Sequence, residues 1–257
     1  MDTLFNKYQG TGNDFIIIDN RELLFISDPE IISRMCNRRF GIGADGLILI
    51  EPHTDADFRM RYFNADGYEG SMCGNGGRCA AHFAFSHNIA GNVMQFIAYD
   101  GVHWATIDGD IVHLTMSDVM HFRVTDDNCF LDTGSPHHVS FVSETDKIDV
   151  VAEGRRIRYS DEYAPGGTNV NFVKITENRL EVRTYERGVE DETLSCGTGV
   201  TASAIAAVRY RQFDRMPVTV VTLGGTLTVS FQAGEDINTD VVLSGPAIFV
   251  FEGEYKL

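Results

Sequence analysis

The sequence predicts a mixed α/β fold built twice over, and three observations carry that prediction. The first is a strand-turn-helix pattern centred on Met72-Cys73-Gly74-Asn75-Gly76-Gly77. Apolar residues alternate with Arg59 and Arg61 between Phe58 and Phe63, as in a strand with one buried face, and an Ala-rich run, Arg78 to Phe85, follows the glycines. The second is a repeat of this pattern at Ser195-Cys196-Gly197-Thr198-Gly199, again leading into an Ala-rich run, Thr201 to Ala207. The third is the spacing. Cys73 and Cys196 are 123 residues apart in a chain of 257, and Arg61-Tyr62-Phe63-Asn64 precedes the first cysteine much as Arg183-Thr184-Tyr185-Glu186 precedes the second. If the halves pack about a pseudo-twofold axis, the two cysteines should face one cleft. The expected halves are residues 1–117 and 118–245, with 246–257 returning to the first.

Each cysteine should sit just before the free N–H groups of a helix. There the helix field favours a thiolate, and the amides can hold an anion. An inert buried cysteine before a glycine turn would explain one such motif better than it explains two.

Bulk composition bounds the function. A hydrophobic content of 43% and a charged content of 23% fit a packed globular protein. A net charge of −16 argues against binding nucleic-acid phosphates or an anionic membrane surface. No stretch reaches the apolar length of a membrane span, and the opening residues lack the basic and apolar regions of a signal peptide. Five cysteines, Cys36, Cys73, Cys79, Cys129 and Cys196, are an odd and sparse set. That suits a reducing compartment, so a cytoplasmic location is expected.

Taken in order, Leu4 to Asn20 reads as two strands interrupted by Gly10-Thr11-Gly12-Asn13-Asp14, where glycines would let backbone approach a ligand and Asn13 would point into a site. Ser27 and Glu30 have capping-box spacing around Pro29, so a helix is predicted from there through Met35 and Cys36 to a stop at Gly41-Ile42-Gly43, with Cys36 in the core. Leu47 to Ile50 is a short buried strand. Val93 to Met116 reads as strands, with Asp108-Gly109 turning a hairpin; His103 and His113 lie on its faces, and no metal site is predicted at either. The polar stretch from Asp118 through Asp126-Asp127-Asn128 is the expected linker.

The second half opens at Cys129. Gly134 stands to His137 as Gly10 stands to Asn13, and Asn13 and His137 precede their cysteines by 60 and 59 residues, which makes His137 a site candidate; His138 should point the other way. Of Asn169 and Asn171, Asn169 is preferred for the site because glycines precede it. Two strands joined at Glu177-Asn178 lead to Glu186-Arg187-Gly188 beside the second cysteine turn. A hairpin through Gly224-Gly225 and strands at 241–243 and 248–251 complete the chain.

Gly10 to Phe15, Phe63-Asn64-Ala65-Asp66-Gly67, Met72 to Gly76, Tyr185 to Gly188 and Ser195 to Gly199, as an ordered set, resemble the diaminopimelate epimerase family from about residue 5 to 250. The resemblance implies two similar α/β (α+β) halves, each a β-barrel-like antiparallel sheet wrapped around a central helix. The small side chains of the Ala-rich runs suit a helix enclosed by sheet. It further implies an isomerase that needs no cofactor and no metal and interconverts LL- and meso-diaminopimelate, a small-molecule substrate, in bacterial lysine and cell-wall precursor synthesis. By motif match, Cys73 and Cys196 are the acid/base pair, supported by His137 and Glu186. Asn13, Asn64, Gly74, Asn75, Asn169, Glu186, Arg187, Gly197 and Thr198 match substrate-site positions. A homodimer is left open. The chain departs from the pattern at Ser135, where many members have Asn, and at Gly46, where some have Gln; both departures bear on grip of the substrate.

The chemistry agrees with that resemblance. Inversion at carbon by proton transfer needs a base on one face and an acid on the other, and a thiolate-thiol pair supplies both. Amides at two helix ends could stabilise charge developing on the substrate carboxylate. A sister isomerase acting on proline, hydroxyproline or another small acid is the second reading, and would be expected to lack the set Asn64, Asn169 and Arg187. A dithiol redox or metal protein would call for closely spaced thiols, which are absent; a binding-only protein on the same fold is the remaining reading. A pyridoxal-phosphate enzyme is disfavoured by the four lysines and the lack of a phosphate cup.

Overall fold

The computed structural model describes residues 2–120, 122–125, 128–211 and 213–257. The chain forms two compact units, Met1–Leu114 with Gly245–Leu257, and Thr115–Ser244.

In the first unit the strands are β1 (Asp2–Gly10), β2 (Asn13–Asp19), β3 (Gly46–Glu51), β4 (Phe58–Asn64), β5 (Val93–Ala98), β6 (Gly101–Asp108) and β7 (Ile111–Thr115). Helix α1 (Pro29–Cys36) links β2 to β3, and α2 (Gly74–Ser86) links β4 to β5. In the second unit come β8 (Val119–Met120), β9 (Phe122–Thr125), β10 (Asn128–Asp132), β11 (Pro136–Phe141), β12 (Asn169–Ile175), β13 (Leu180–Glu186), β14 (Asp191–Thr193), β15 (Val218–Thr222), β16 (Gly225–Ala233) and β17 (Ile237–Pro246). Here α3 (Val150–Arg158) links β11 to β12, and α4 (Gly197–Arg211) stands between β14 and β15. The last strand, β18 (Ile248–Lys256), pairs with β1 in the first unit.

The two units repeat one pairing pattern. In the first, β18, β1, β2, β3, β4, β5, β6 and β7 are neighbours in that order; in the second, β9, β10, β11, β12, β13, β15, β16 and β17 follow the same order. The sheets are mixed, which corrects the expected antiparallel sheet. β2–β3 and β4–β5 are parallel, as are β11–β12 and β13–β15. The cause is that a helix crosses between the members of each parallel pair, and a crossover returns the chain in its original direction.

Helices α2 and α4 are the central ones. α2 packs against β1, β2, β3, β4 and β6, and α4 against β10, β11, β12, β13, β15 and β16. From Gly199 to Ala207 every residue of α4 is buried, so it has no polar stripe, as expected for a helix enclosed by strands. On the other sheet face, α1 packs Ile32, Met35 and Cys36 against Ile16, Leu47 and Leu49, while α3 packs Val150 and Ile157 against Val170, Phe172 and Tyr185. β3 is therefore buried on both faces, which explains its unbroken apolar run.

Local details differ from the sequence reading. Asp28, not Ser27, caps α1: its Oδ1 accepts from Glu30 N at 2.9 Å and Ile31 N at 3.2 Å. The helix ends at Cys36, and Ile42 and Gly43 fold back to donate to Met35 O instead of forming the stop. The expected linker holds β8, whose Val119 is buried in the core of the second unit, and β9 on the edge of β10; Asp126 and Asp127 lie outside the described residues. The hairpin of β15 and β16 turns at Leu223-Gly224, since Thr222 pairs with Gly225. His103 is buried against Phe96 with Nε2 2.9 Å from Asp100 Oδ1. Among the described residues no helix is long and apolar enough to cross a membrane.

Candidate active site

Both central helices start one residue after a cysteine. Cys73 occupies the N-cap position of α2 with extended backbone, its side chain makes no cap hydrogen bond, and its carbonyl accepts the first helical bond, from Gly77 N at 2.7 Å. Cys196 O accepts from Val200 N at 2.8 Å in the same way. Gly74, Asn75, Gly197 and Thr198 thus supply first-turn amides, which have no acceptor within their own helix.

Around Cys73 the side chains form an ordered set. Asn13 Nδ2 donates to Asp45 Oδ2 at 2.6 Å, which fixes the amide so that Oδ1 turns the other way. That oxygen accepts from Asn75 Nδ2 at 3.3 Å and lies 3.6 Å from Cys73 Sγ. Asp45 is itself held by Arg38 at 2.7 Å, and Arg38 also grips Asp14 at 2.6 and 3.0 Å. Lys7 pairs with Asp14 at 2.7 Å. Burial alone would raise the Asp14 carboxyl, but hydrogen bonds from Arg38 and Lys7 outweigh it and hold the group down at about 2. Asn64 ends β4 opposite Gly46, beside Asp45 in the chain, and is exposed.

Beneath this set lies Arg78, which is fully buried. Its guanidinium donates to Asn75 Oδ1 at 3.0 Å, Gly74 O at 3.3 Å and Thr11 Oγ1 at 3.4 Å, and its Nε has no partner. Burial works against its charge, while Cys79 and Cys73 act in the opposite sense. Arg78 thereby braces the Thr11-Gly12 turn, where Thr11 has φ +51, an uncommon setting for a β-branched residue. Cys79, on the same helix, is buried and its thiol is pushed up to about 12 by desolvation.

Around Cys196 the ordered set is different. Thr198 Oγ1 lies 3.4 Å from Cys196 Sγ and 2.9 Å from His137 Nε2. His137 is fully buried, and burial followed by the charge of Arg187 lowers its pKa to about 3. Its Nδ1 lies 3.0 Å from Asn171 Nδ2. Thr133 Oγ1 donates to Thr198 O at 2.9 Å and ties the β10–β11 turn to α4. Asn169 Nδ2 donates to Ser135 Oγ at 2.9 Å and Pro136 O at 3.0 Å, and its Oδ1 accepts from Arg187 N at 2.8 Å. Glu186 ends β13, and the exposed Arg187 guanidinium reaches Gly166 O at 3.5 Å. His138 points to the other face of β11, with Nδ1 2.6 Å from Tyr163 Oη.

The strand registers correct one correspondence between the halves. Phe15 pairs with Gly46, and His137 pairs with Asn169. Gly46 and Asn169 occupy equivalent places, so Phe15 is the counterpart of His137, and the turn Thr11-Gly12-Asn13 matches Thr133-Gly134-Ser135. Gly46 is also not an open place for a longer side chain: a Cβ there would stand 2.4 Å from Tyr62 Cε2 and 2.5 Å from Phe63 O. Asp45, Arg78 and Asn171 were not singled out by motif. Asp45 directly precedes a strand, Arg78 reads as one polar residue in an Ala-rich helix, and Asn171 shares a strand face with Asn169.

The family model described as diaminopimelate epimerase matches residues 5–112 and 129–250. The chain belongs to the diaminopimelate epimerase family. A diaminopimelate epimerase from Flavobacterium psychrophilum is 52% identical over 96% of this chain and 97% of its own length. One from Chlorobaculum tepidum is 47% identical over 96% and 99%, and one from Aquifex aeolicus is 41% identical over 97% and 96%. Among solved structures, a phenazine biosynthesis protein of the PhzF family from Bacillus anthracis superposes with a TM-score of 0.78 at 15% identity, covering 100% of both chains. A probable proline racemase from Agrobacterium radiobacter superposes with a TM-score of 0.70 at 16% identity, covering 99% of this chain and 93% of its own. These two likenesses concern the fold alone. Within the epimerase family fold, the two cysteine-led helices occupy the same topological place in each unit.

Proposed function

We propose that this protein is an amino-acid epimerase that interconverts LL- and meso-diaminopimelate by proton transfer at one α-carbon, using Cys73 and Cys196. The observation that carries the reading is the repeated placement of a cysteine at the N-terminus of a buried central helix, in a chain 52% identical to a diaminopimelate epimerase. One thiolate removes the α-proton from one face, its sulfur gaining an S–H bond as the C–H bond breaks. The other thiol delivers its proton to the opposite face and is left as thiolate. The products are the inverted centre and a pair of sulfurs with exchanged charge, so nothing is oxidised or reduced and the reading calls for no cofactor.

The carbanion is the costly species. The amides of Gly74, Asn75, Gly197 and Thr198 stabilise negative charge on the substrate carboxylate; one such donor is typically worth ~10²–10³ in rate. Asn13, Asn64 and Asn169 hold polar groups of the substrate, Arg187 takes a carboxylate and Glu186 an ammonium, while His137 and Glu186 support the acid/base pair. Lysine and cell-wall precursor synthesis and a cytoplasmic setting belong to the same proposal.

Incubation with LL-diaminopimelate in D₂O, with no added cofactor, should place deuterium at one α-carbon. Cys73→Ala and Cys196→Ala should each reduce turnover at least ~10²-fold while leaving the fold intact. Full turnover by either variant would refute the two-thiol mechanism, and exchange only with a proline derivative would reassign the substrate.

A further inference from the structure

In the second unit a line of hydrogen bonds runs to Cys196, and its direction can be read from one end. It starts at the backbone carbonyl of His138, which can only accept. Asn171 Nδ2 lies 3.1 Å from that oxygen. The opposite end of the same amide, Oδ1, accepts from Thr184 Oγ1 at 3.0 Å. The amide is therefore fixed, and the second N–H of Asn171 points at His137 Nδ1, 3.0 Å away. That ring nitrogen must accept. With its pKa lowered to about 3, the buried ring is neutral at pH 7 and carries one proton, on Nε2. The proton points at Thr198 Oγ1, 2.9 Å distant. The Thr198 hydroxyl, accepting from His137, has its own proton left for Cys196 Sγ at 3.4 Å.

We propose that Asn171 is a positioning residue for Cys196: it locks His137 in the Nε2–H tautomer and so aims the Thr198 hydroxyl proton at the cysteine sulfur. The inference rests on the reading of Cys196 as one of the two proton-transferring thiols. A hydrogen bond donated to sulfur favours the thiolate. The opposite tautomer would reverse the arrows beyond the ring: Thr198 would donate to His137 Nε2 and present a lone pair to Cys196, favouring the thiol. One buried amide thus biases the proton affinity of an atom three hydrogen bonds away.

A separate observation supports the arrangement. A Cβ at Gly199 would stand 2.4 Å from Asn171 Oδ1 and 3.3 Å from His137 Cε1. Helix α4 can approach the Asn171–His137 pair only because that position is glycine. Arg187 disfavours a second proton on His137; Glu186 ends β13, and the first turn of α4 carries no acidic residue.

The test reads the tautomer directly. Multiple-bond ¹H–¹⁵N spectra of the labelled wild-type protein at pH 7 should show His137 protonated on Nε2; a ring protonated on Nδ1 overturns the proposal without any variant. Per-residue alkylation followed by mass spectrometry then gives the pH profile of Cys196. Asn171→Leu should move that profile up by about one pH unit, the scale of one hydrogen bond to a charged group. In a Thr198→Val background the Asn171 substitution should add nothing further, and an undiminished shift there would overturn the relay. Neither readout needs turnover. Failure of deuterium exchange would sink the proposed function and leave these results standing, whereas normal exchange with an Nδ1–H ring would sink only the relay.

Discussion

At the scale of single residues, Gly199 carries the most testable consequence. Its neighbour Asn171 is held at three points, by His137, the His138 carbonyl and Thr184, so Asn171 cannot swing aside to admit a methyl group. Gly199→Ala should cost ~1–3 kcal/mol, the range for overpacking a filled interior, as measured by urea denaturation. It should also slow turnover by displacing His137. An alanine variant of wild-type stability would mean that the helix and strand are less tightly apposed than 2.4 Å implies. This scale also shows where the sequence was legible. Cys73, Cys196 and the glycines after them were readable because helix starts have local signatures, and a repeat doubles the signal. Asp45, Arg78 and Asn171 were not, because their importance lies in partners distant in sequence: Asp45 orients Asn13 from 32 residues away, and Arg78 reaches Thr11 from 67 residues away. The choice between Asn169 and Asn171 was ill-posed. Residues two apart on a strand share a face, and here Asn169 anchors the Ser135 and Arg187 backbone loops while Asn171 orients His137.

Among the elements, the helices divide by what sets their ends and faces. The start of α1 turns on one residue. Ser27-Asp28-Pro29-Glu30 offers two capping candidates, and only backbone geometry selects Asp28. Asp28→Ala should therefore lower stability by ~1 kcal/mol, and Ser27→Ala by much less. Equal losses in the two variants, read from denaturation midpoints, would contradict the cap. The enclosed helices α2 and α4 were legible from their alanines, since small side chains let strands surround a helix. Helix α3 was missed for the converse reason. It lies on the outer sheet face, only Val150, Gly154 and Ile157 are buried, and its remaining residues are mostly charged, so no sustained apolar stripe announces it. Gly154, an unusual helix-interior residue, is explained only by the fold: a Cβ there would meet Tyr185 Cβ at 2.3 Å. The mixed character of the sheets was hidden in the same way, because strand direction follows from the crossover helices.

For the molecule as a whole, the buried titratable groups lead to an acid-stability prediction with a definite sign. Desolvation dominates both histidines of β11 and lowers them, His137 to about 3 and His138 to about 4. In the unfolded chain they titrate near 6.5. Between these values the unfolded state binds protons that the folded state refuses, so stability is fully present above pH 6.5 and is lost as pH falls toward 4 and then 3. Asp14, held at about 2 against a reference of 3.8, adds a further loss below pH 3.8. The net charge of −16 at pH 7 works the other way, since protonating exposed carboxylates relieves repulsion, but such surface terms are screened by salt and the buried ones are not. The expected curve of unfolding free energy in 0.15 M salt is level near pH 7 and declines from about pH 6.5 downward, before most carboxylates titrate. His138 is the group to test, because it bonds Tyr163 and Ser140 on the strand face opposite to His137. Removing it should flatten the decline between pH 6.5 and 4 by on the order of 2–3 kcal/mol. His138→Gln keeps a hydrogen-bonding side chain of similar reach, so its curve should start lower at pH 7 and converge on the wild type as pH falls. Parallel curves would show that the His138 ring gains its proton as readily in the folded chain as in the unfolded one.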